Sequence, residues 1–199
     1  MIQIQIWADF ECPYSYFQTI VLEKLQAKYQ DRLEIVWRAF ELTPIEGNIF
    51  PSQSYLYNFE AAKSEPIVIE EGLELVLPRF LTYTWLAQES VYFANSQGLS
   101  LKLARALFDG FFLQGLDISN KEVVTRISTQ VGVDIQKLKQ ALDNGELTKH
   151  VIADEQEFKT YGFQGLPAML IGEKNFSPRS FMPITGYKTF EELLEILPK

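Results

Sequence analysis

The chain has 199 residues, 47% hydrophobic and 14% aromatic, enough to bury a sizeable core as one domain or as a domain carrying an insertion. Twenty-six acidic against 18 basic residues give a formal charge of −8, which argues against nucleic acid or an anionic membrane as partner. One cysteine excludes an intramolecular disulfide, and with one histidine it cannot make a zinc site without several carboxylates, so no metal is expected.

No apolar run approaches the roughly 20 residues of a membrane span. Met1 leads straight into a strand pattern, without the basic-then-apolar order of a secretory leader. An unpaired cysteine fits a reducing compartment, so a cytoplasmic location is the expectation.

In chain order, Ile2, Ile4 and Ile6 alternate with Gln3 and Gln5, the period of a strand. Phe17, Ile20, Val21 and Leu25 then fall at helical spacing, so a helix begins within Trp7-Ala8-Asp9-Phe10-Glu11-Cys12-Pro13-Tyr14-Ser15-Tyr16-Phe17. Pro13 suits the first helical turn, where its missing N–H has no partner to lose. Cys12 would then cap the helix, its sulfur facing unpaired N–H groups and the positive end of the dipole. A thiol of pKa near 8.5 is about 3% ionised at pH 7, whereas one lowered to roughly 5 is almost wholly thiolate. Asp9 and Glu11 oppose that lowering by charge repulsion. The competing reading of Cys12 is a small buried hydrophobe.

A second strand is expected at Leu33-Glu34-Ile35-Val36-Trp37, parallel to the first across a right-handed crossover. From Ile45 to about Ser64 periodicity fades, and Phe50, Tyr55, Tyr57 and Phe59 could form a lid over the thiol or pack on the nearest core. The middle of the chain reads as helices with caps at Thr84, Ser100, Ser119 and Asp134 and a stop at Gly132, without a strand candidate. After a helix from about Leu147 to Tyr161 come Gly165-Leu166-Pro167, a strand at Met169-Leu170-Ile171, another near Met182 to Thr185, and a final helix capped at Thr189. His150 has no recognisable acidic or serine partner and reads as a packing or surface residue.

The segment Asp9-Phe10-Glu11-Cys12-Pro13-Tyr14-Ser15-Tyr16 resembles the active site of DsbA-like thiol oxidoreductases on the thioredoxin fold. Phe40-Glu41-Leu42-Thr43-Pro44, Thr84-Trp85-Leu86-Ala87-Gln88 and the run from Ala106 to Ser119 resemble the FrnE-like branch, whose members commonly carry histidine where Gln88 stands. Pro-Tyr-Ser-Tyr also resembles kappa-class glutathione transferase and 2-hydroxychromene-2-carboxylate isomerase, which typically have serine at the position of Cys12.

The resemblance implies an α/β thioredoxin fold with an all-helical insertion: residues 1–45 and 146–199 forming the thioredoxin parts, and 46–145 the insertion. It implies a cis Leu166-Pro167 bond beside Cys12. Cys12 and Ser15 are the implied catalytic residues, with Ser15 where relatives place a second cysteine. Pro13, Tyr14, Leu166 and Pro167 are the implied substrate-binding positions. The expected activity is monothiol thiol–disulfide exchange, in which Cys12 attacks disulfides or glutathione mixed disulfides. The alternatives are a glutathione-dependent isomerase or transferase and a non-catalytic binding module. Gly186-Tyr187-Lys188 stands where glutathione-using relatives have Gly-x-Asp. No tightly bound cofactor is expected. Glutathione is a candidate cosubstrate, and small thiols, disulfides or protein thiols are candidate partners; a homodimer is left open.

Overall fold

The computed structural model describes residues 1–47 and 49–198. Four strands form one sheet in the order β2-β1-β3-β4: β1 Ile2–Ala8, β2 Leu33–Ala39, β3 Ala168–Glu173 and β4 Met182–Thr185. β1 and β2 are parallel, and β3 is antiparallel to both β1 and β4. The period-2 pattern of β1 places Ile4 and Ile6 in register with Ile35 and Trp37 on one side and with Ile171 and Met169 on the other. These side chains turn to one face and build the core.

Helix α1 (Pro13–Tyr29) crosses that face, burying Phe17, Ile20, Leu22 and Leu25. Between β2 and β3 lie α2 (Gln53–Ala62), α3 (Pro66–Glu70), α4 (Trp85–Asn95), α5 (Ser100–Phe112), α6 (Lys121–Val131), α7 (Ile135–Asp143) and α8 (Thr148–Thr160). Helix α9 (Phe190–Ile196) closes the described chain with a capping box of Thr189 and Glu192. One cluster of buried side chains runs from Ile4 and Phe17 through Phe108 and Phe112 to Leu138, so α5 to α7 share a core with the sheet. Aromatic contacts join them: Phe10 lies 5.4 Å from Trp37 and 4.8 Å from Phe108, which lies 5.4 Å from Tyr16. The opposite face of the sheet, at Trp7, Ala168 and Leu170, is covered by Phe158 and Phe163.

Several local expectations are corrected. Residues 53–62 form a helix within the stretch read as aperiodic, because Ser52 caps it by accepting from the Tyr55 N–H. Its aromatics divide: Phe59 is buried in the core, whereas Phe50 and Tyr57 are exposed. The cap of α6 is Asn120 rather than Ser119; the Asn120 side chain accepts from the N–H groups of Glu122 and Val123, and Ser119 bonds Asp117 instead. Ser100 is the first residue of α5, not its cap. Thr84 precedes α4 as expected, but its hydroxyl is turned to carboxylates and caps nothing.

Candidate active site

β1 ends at Ala8, and the next four residues turn the chain into α1. The Cys12 N–H donates to the Asp9 carbonyl at 3.1 Å, and Phe10, fully buried, pins the turn against Trp37 and Phe108. Full burial of a phenylalanine contributes roughly 2–3 kcal/mol, so the position of this turn is dictated by the core. Cys12 is the N-cap, extended at φ −92° and ψ 112°, with Pro13 as the first helical residue. Its sulfur makes no side-chain cap hydrogen bond; the thiol points to the Leu166 carbonyl, 3.9 Å away.

The Leu166–Pro167 bond is cis. The segment after β4 links its loop to α1: the Gly186 N–H donates to the Pro167 carbonyl at 2.8 Å, and the Lys188 N–H to Gln18 Oε1 at 2.8 Å. Tyr14 reaches the same place, its ring 6.5 Å from that of Tyr187. Two segments 154 residues apart in the sequence thus meet at one sulfur. Cys12, Ser15, Pro13, Tyr14, Leu166 and Pro167 come together; His150 does not, being stacked on Tyr92 at 4.6 Å.

Cys12 is 8% exposed, and burial pushes its thiol above the ordinary range, with the Asp9 charge adding to the rise. Against these act Ser15, through its hydroxyl and its N–H, and the N–H of Tyr14. The balance lies with burial, so the depressed pKa expected of a helix cap is not realised here. The Ser15 hydroxyl, fully buried, has no conventional hydrogen-bond partner and lies where it lowers the cost of a thiolate.

Beneath the cysteine is a group of acids. Asp9, Glu11 and Glu41 are at most 5% exposed. Asp9 accepts from the Leu42 N–H at 2.6 Å and from the Thr84 hydroxyl at 2.8 Å, and that hydroxyl also reaches Glu41 at 3.2 Å. Glu11 Oε1 and Glu41 Oε2 have no partner among the described residues. Burial, then mutual repulsion, pushes Glu11 and Glu41 up to about 8; burial raises Asp9 to about 6 despite its hydrogen bonds. Protons therefore replace counterions on Glu11 and Glu41 at neutral pH, while Asp9 keeps its charge. Among the described residues, no three His, Cys, Asp or Glu side chains are placed to hold a metal ion.

Sequence reasoning missed Glu41 and Thr84 as neighbours of the site, and left Tyr55 open between a lid over the thiol and core packing. The Tyr55 hydroxyl donates to the Glu11 carbonyl at 3.0 Å, and burial raises its pKa. Only the proximity of the strand exit at Phe40–Leu42 to Asp9 joins these residues, and spacing along the chain does not reveal it. Gln88, where FrnE-like proteins commonly carry histidine, is buried in a structural role: its Nε2 donates to the Ala8 and Phe40 carbonyls and its Oε1 accepts from Trp37 Nε1.

A Bacillus subtilis protein, uncharacterized YwbO, is 26% identical over 149 residues, covering 71% of this chain and 72% of its own. In structure the chain is similar to a Nitrosomonas europaea protein provisionally assigned as a protein disulfide isomerase, with TM-score 0.81, 15% identity and coverage of 98% and 95% of the two chains. It is similar to 2-hydroxychromene-2-carboxylate isomerase, with TM-score 0.71, 19% identity and coverage of 98% and 92%. The cytosolic disulfide reductase DsbM of Pseudomonas aeruginosa, in a structure with GSH, gives TM-score 0.67, 12% identity and coverage of 92% and 89%. These likenesses show the fold. The family model for DSBA-like thioredoxin domains matches residues 3–195, and with Cys12 at the head of α1 facing the cis-proline loop, the chain belongs to that family.

Proposed function

We propose that the protein is a monothiol thiol–disulfide oxidoreductase of FrnE-like type, with Cys12 as the exchanging sulfur. The observation that carries this is the single thiol at the N-cap of α1, 3.9 Å from the Leu166 carbonyl, in a chain with no second cysteine. The Cys12 thiol first loses its proton to solvent. Its sulfur then attacks one sulfur of R–S–S–R′; the Cys12–S–S–R bond forms, the S–S bond of the substrate breaks, and R′S⁻ leaves and takes a proton from water. An external thiolate R″S⁻ attacks the sulfur of the R group, releasing R–S–S–R″ and returning Cys12 as thiolate.

Ser15 steadies that thiolate by donating its hydroxyl proton, with the Ser15 and Tyr14 N–H groups beside it. The main chain of Leu166 pairs with an extended substrate segment as an edge strand would. Pro13 and Tyr14 form the adjoining wall. A thiol held above its ordinary pKa is a strong nucleophile once ionised and a poor leaving group. That favours drawing disulfides onto Cys12, the reducing direction, and a reducing cytoplasm suits it. No described helix is long and apolar enough to cross a membrane. The proposed cosubstrate is a small thiol, with glutathione among the candidates.

The experiment is turnover of a small disulfide with a recycling thiol, followed in the wild type, Cys12→Ser and Ser15→Ala. The account expects no activity in Cys12→Ser and a several-fold slower reaction in Ser15→Ala. Full activity in Cys12→Ser would refute it.

A further inference from the structure

Between α1, α3 and the start of α9 the structure has a cavity of about 270 Å³, walled by Glu65, Glu70, Glu191, Tyr187, Phe190 and Lys24. Tyr14, two residues beyond Cys12, faces a residue of this wall, its ring 6.5 Å from that of Tyr187. Tyr187 in turn feels Glu65, Glu70, Glu192 and Glu191. Of the cations beside this wall, Lys24 pairs with Glu71 at 2.5 Å, Lys188 with Glu192 at 3.5 Å, and Lys28 lies over the outer Phe190 ring at 5.5 Å without entering the lining. A group bound to the Cys12 sulfur and reaching past Tyr14 to Tyr187 would meet a recess whose described lining has three carboxylates and one ammonium, Lys24, paired with Glu71.

We propose that Glu65 is a specificity-determining residue, and that it and the recess behind it select thiol partners that are cationic or neutral over those bearing carboxylates. This rests on the reading of Cys12 as the exchanging thiol. A partner with an ammonium two or three bonds beyond its sulfur would set that charge against the Glu65 side of Tyr14. Glutathione carries two carboxylates for its one ammonium, and the one ammonium in the described lining, Lys24, is paired with Glu71. The sequence at Gly186-Tyr187-Lys188 is consistent, because the Lys188 N–H is engaged by Gln18 and its ammonium by Glu192.

The test measures how fast the reduced protein forms a mixed disulfide at Cys12, by intact mass, with cystamine, bis(2-hydroxyethyl) disulfide and oxidised glutathione. Each rate is divided by that of free 2-mercaptoethanol with the same disulfide, which removes intrinsic reactivity. At low ionic strength the normalised rate for cystamine should exceed that for oxidised glutathione by about tenfold, the size typical of electrostatic steering at a lined cleft. Added salt at about 0.5 M should collapse most of that preference. In Glu65→Gln, the cystamine rate relative to the neutral disulfide should fall about two- to threefold; Glu70→Gln, at an exposed position on the same wall, should give a smaller fall. Equal or reversed preference, with the neutral disulfide reacting, would overturn the charge selection alone. An unchanged ratio in both variants would overturn the assignment to this wall. Absence of reaction with all three disulfides would overturn the reading of Cys12 itself.

Discussion

Replacing Glu41 by glutamine should stabilise the protein, and by more as the pH rises. Glu41 is 5% exposed; its Oε1 meets the Thr84 hydroxyl, its Oε2 meets nothing, and the charges bearing on it are the acids Asp9 and Glu155. Its pKa is raised from 4.5 to about 8, so between those values the folded chain holds a proton that the unfolded chain has released. Stability from this group is then fully present below about pH 4.5 and is lost as the pH climbs through about 8. At 1.36 kcal/mol per pH unit the interval corresponds to at most about 5 kcal/mol, and relaxation with water admitted on ionisation reduces this to roughly 2–3. Glutamine keeps the shape, still accepts from Thr84 and carries no charge. Urea unfolding of both proteins from pH 5 to 9 is the assay. The variant's advantage should be near zero at pH 5 and reach roughly 2–3 kcal/mol by pH 9. Parallel stability curves would refute the claim that Glu41 resists ionisation in the fold.

Gln88→Ala should cost about 2–4 kcal/mol, since it strands the buried Trp37 indole N–H and the Ala8 and Phe40 carbonyls; thermal unfolding measures it, and an unchanged midpoint would count against that role. The alkylation of Cys12 by iodoacetamide should show a pH midpoint above that of a free thiol, and Asp9→Asn should lower it, because burial and then the Asp9 charge raise the thiol. Ser15→Cys should form an internal disulfide with Cys12, as residues three apart at the head of α1 face the same side; mass loss of two hydrogens under mild oxidant reads it, and a persistently alkylatable pair would contradict the geometry.

Much of the fold was legible because its periodicities are strong. Alternating Ile2, Ile4 and Ile6, the helical spacing after Pro13 and the apolar strand after Pro167 placed β1, α1 and β3 close to where they lie. Cys12 and the Leu166-Pro167 loop could be paired only through the family resemblance, since nothing local in either segment names the other. The cap at Ser119 misled because a neighbour offered better geometry: Asn120 reaches two N–H groups, and Ser119 is held by Asp117. At α5 the helix starts one residue earlier than expected, with Leu99 at the cap and no side chain capping it. The thiol's raised pKa was half visible. Asp9 and Glu11 signalled repulsion in the sequence, but the larger cause is burial, which depends on α2 and the strand exit folding back over the turn. Glu41 and Thr84 were silent for the same reason.

The central claim is that Cys12 exchanges disulfides. Incubation of the reduced protein with bis(2-hydroxyethyl) disulfide, followed by intact mass and peptide mapping, tests it most directly. The account predicts one adduct, on Cys12, that forms faster as the pH rises and is removed by added thiol. A protein that stays unmodified while the same disulfide reacts with free cysteine would contradict it.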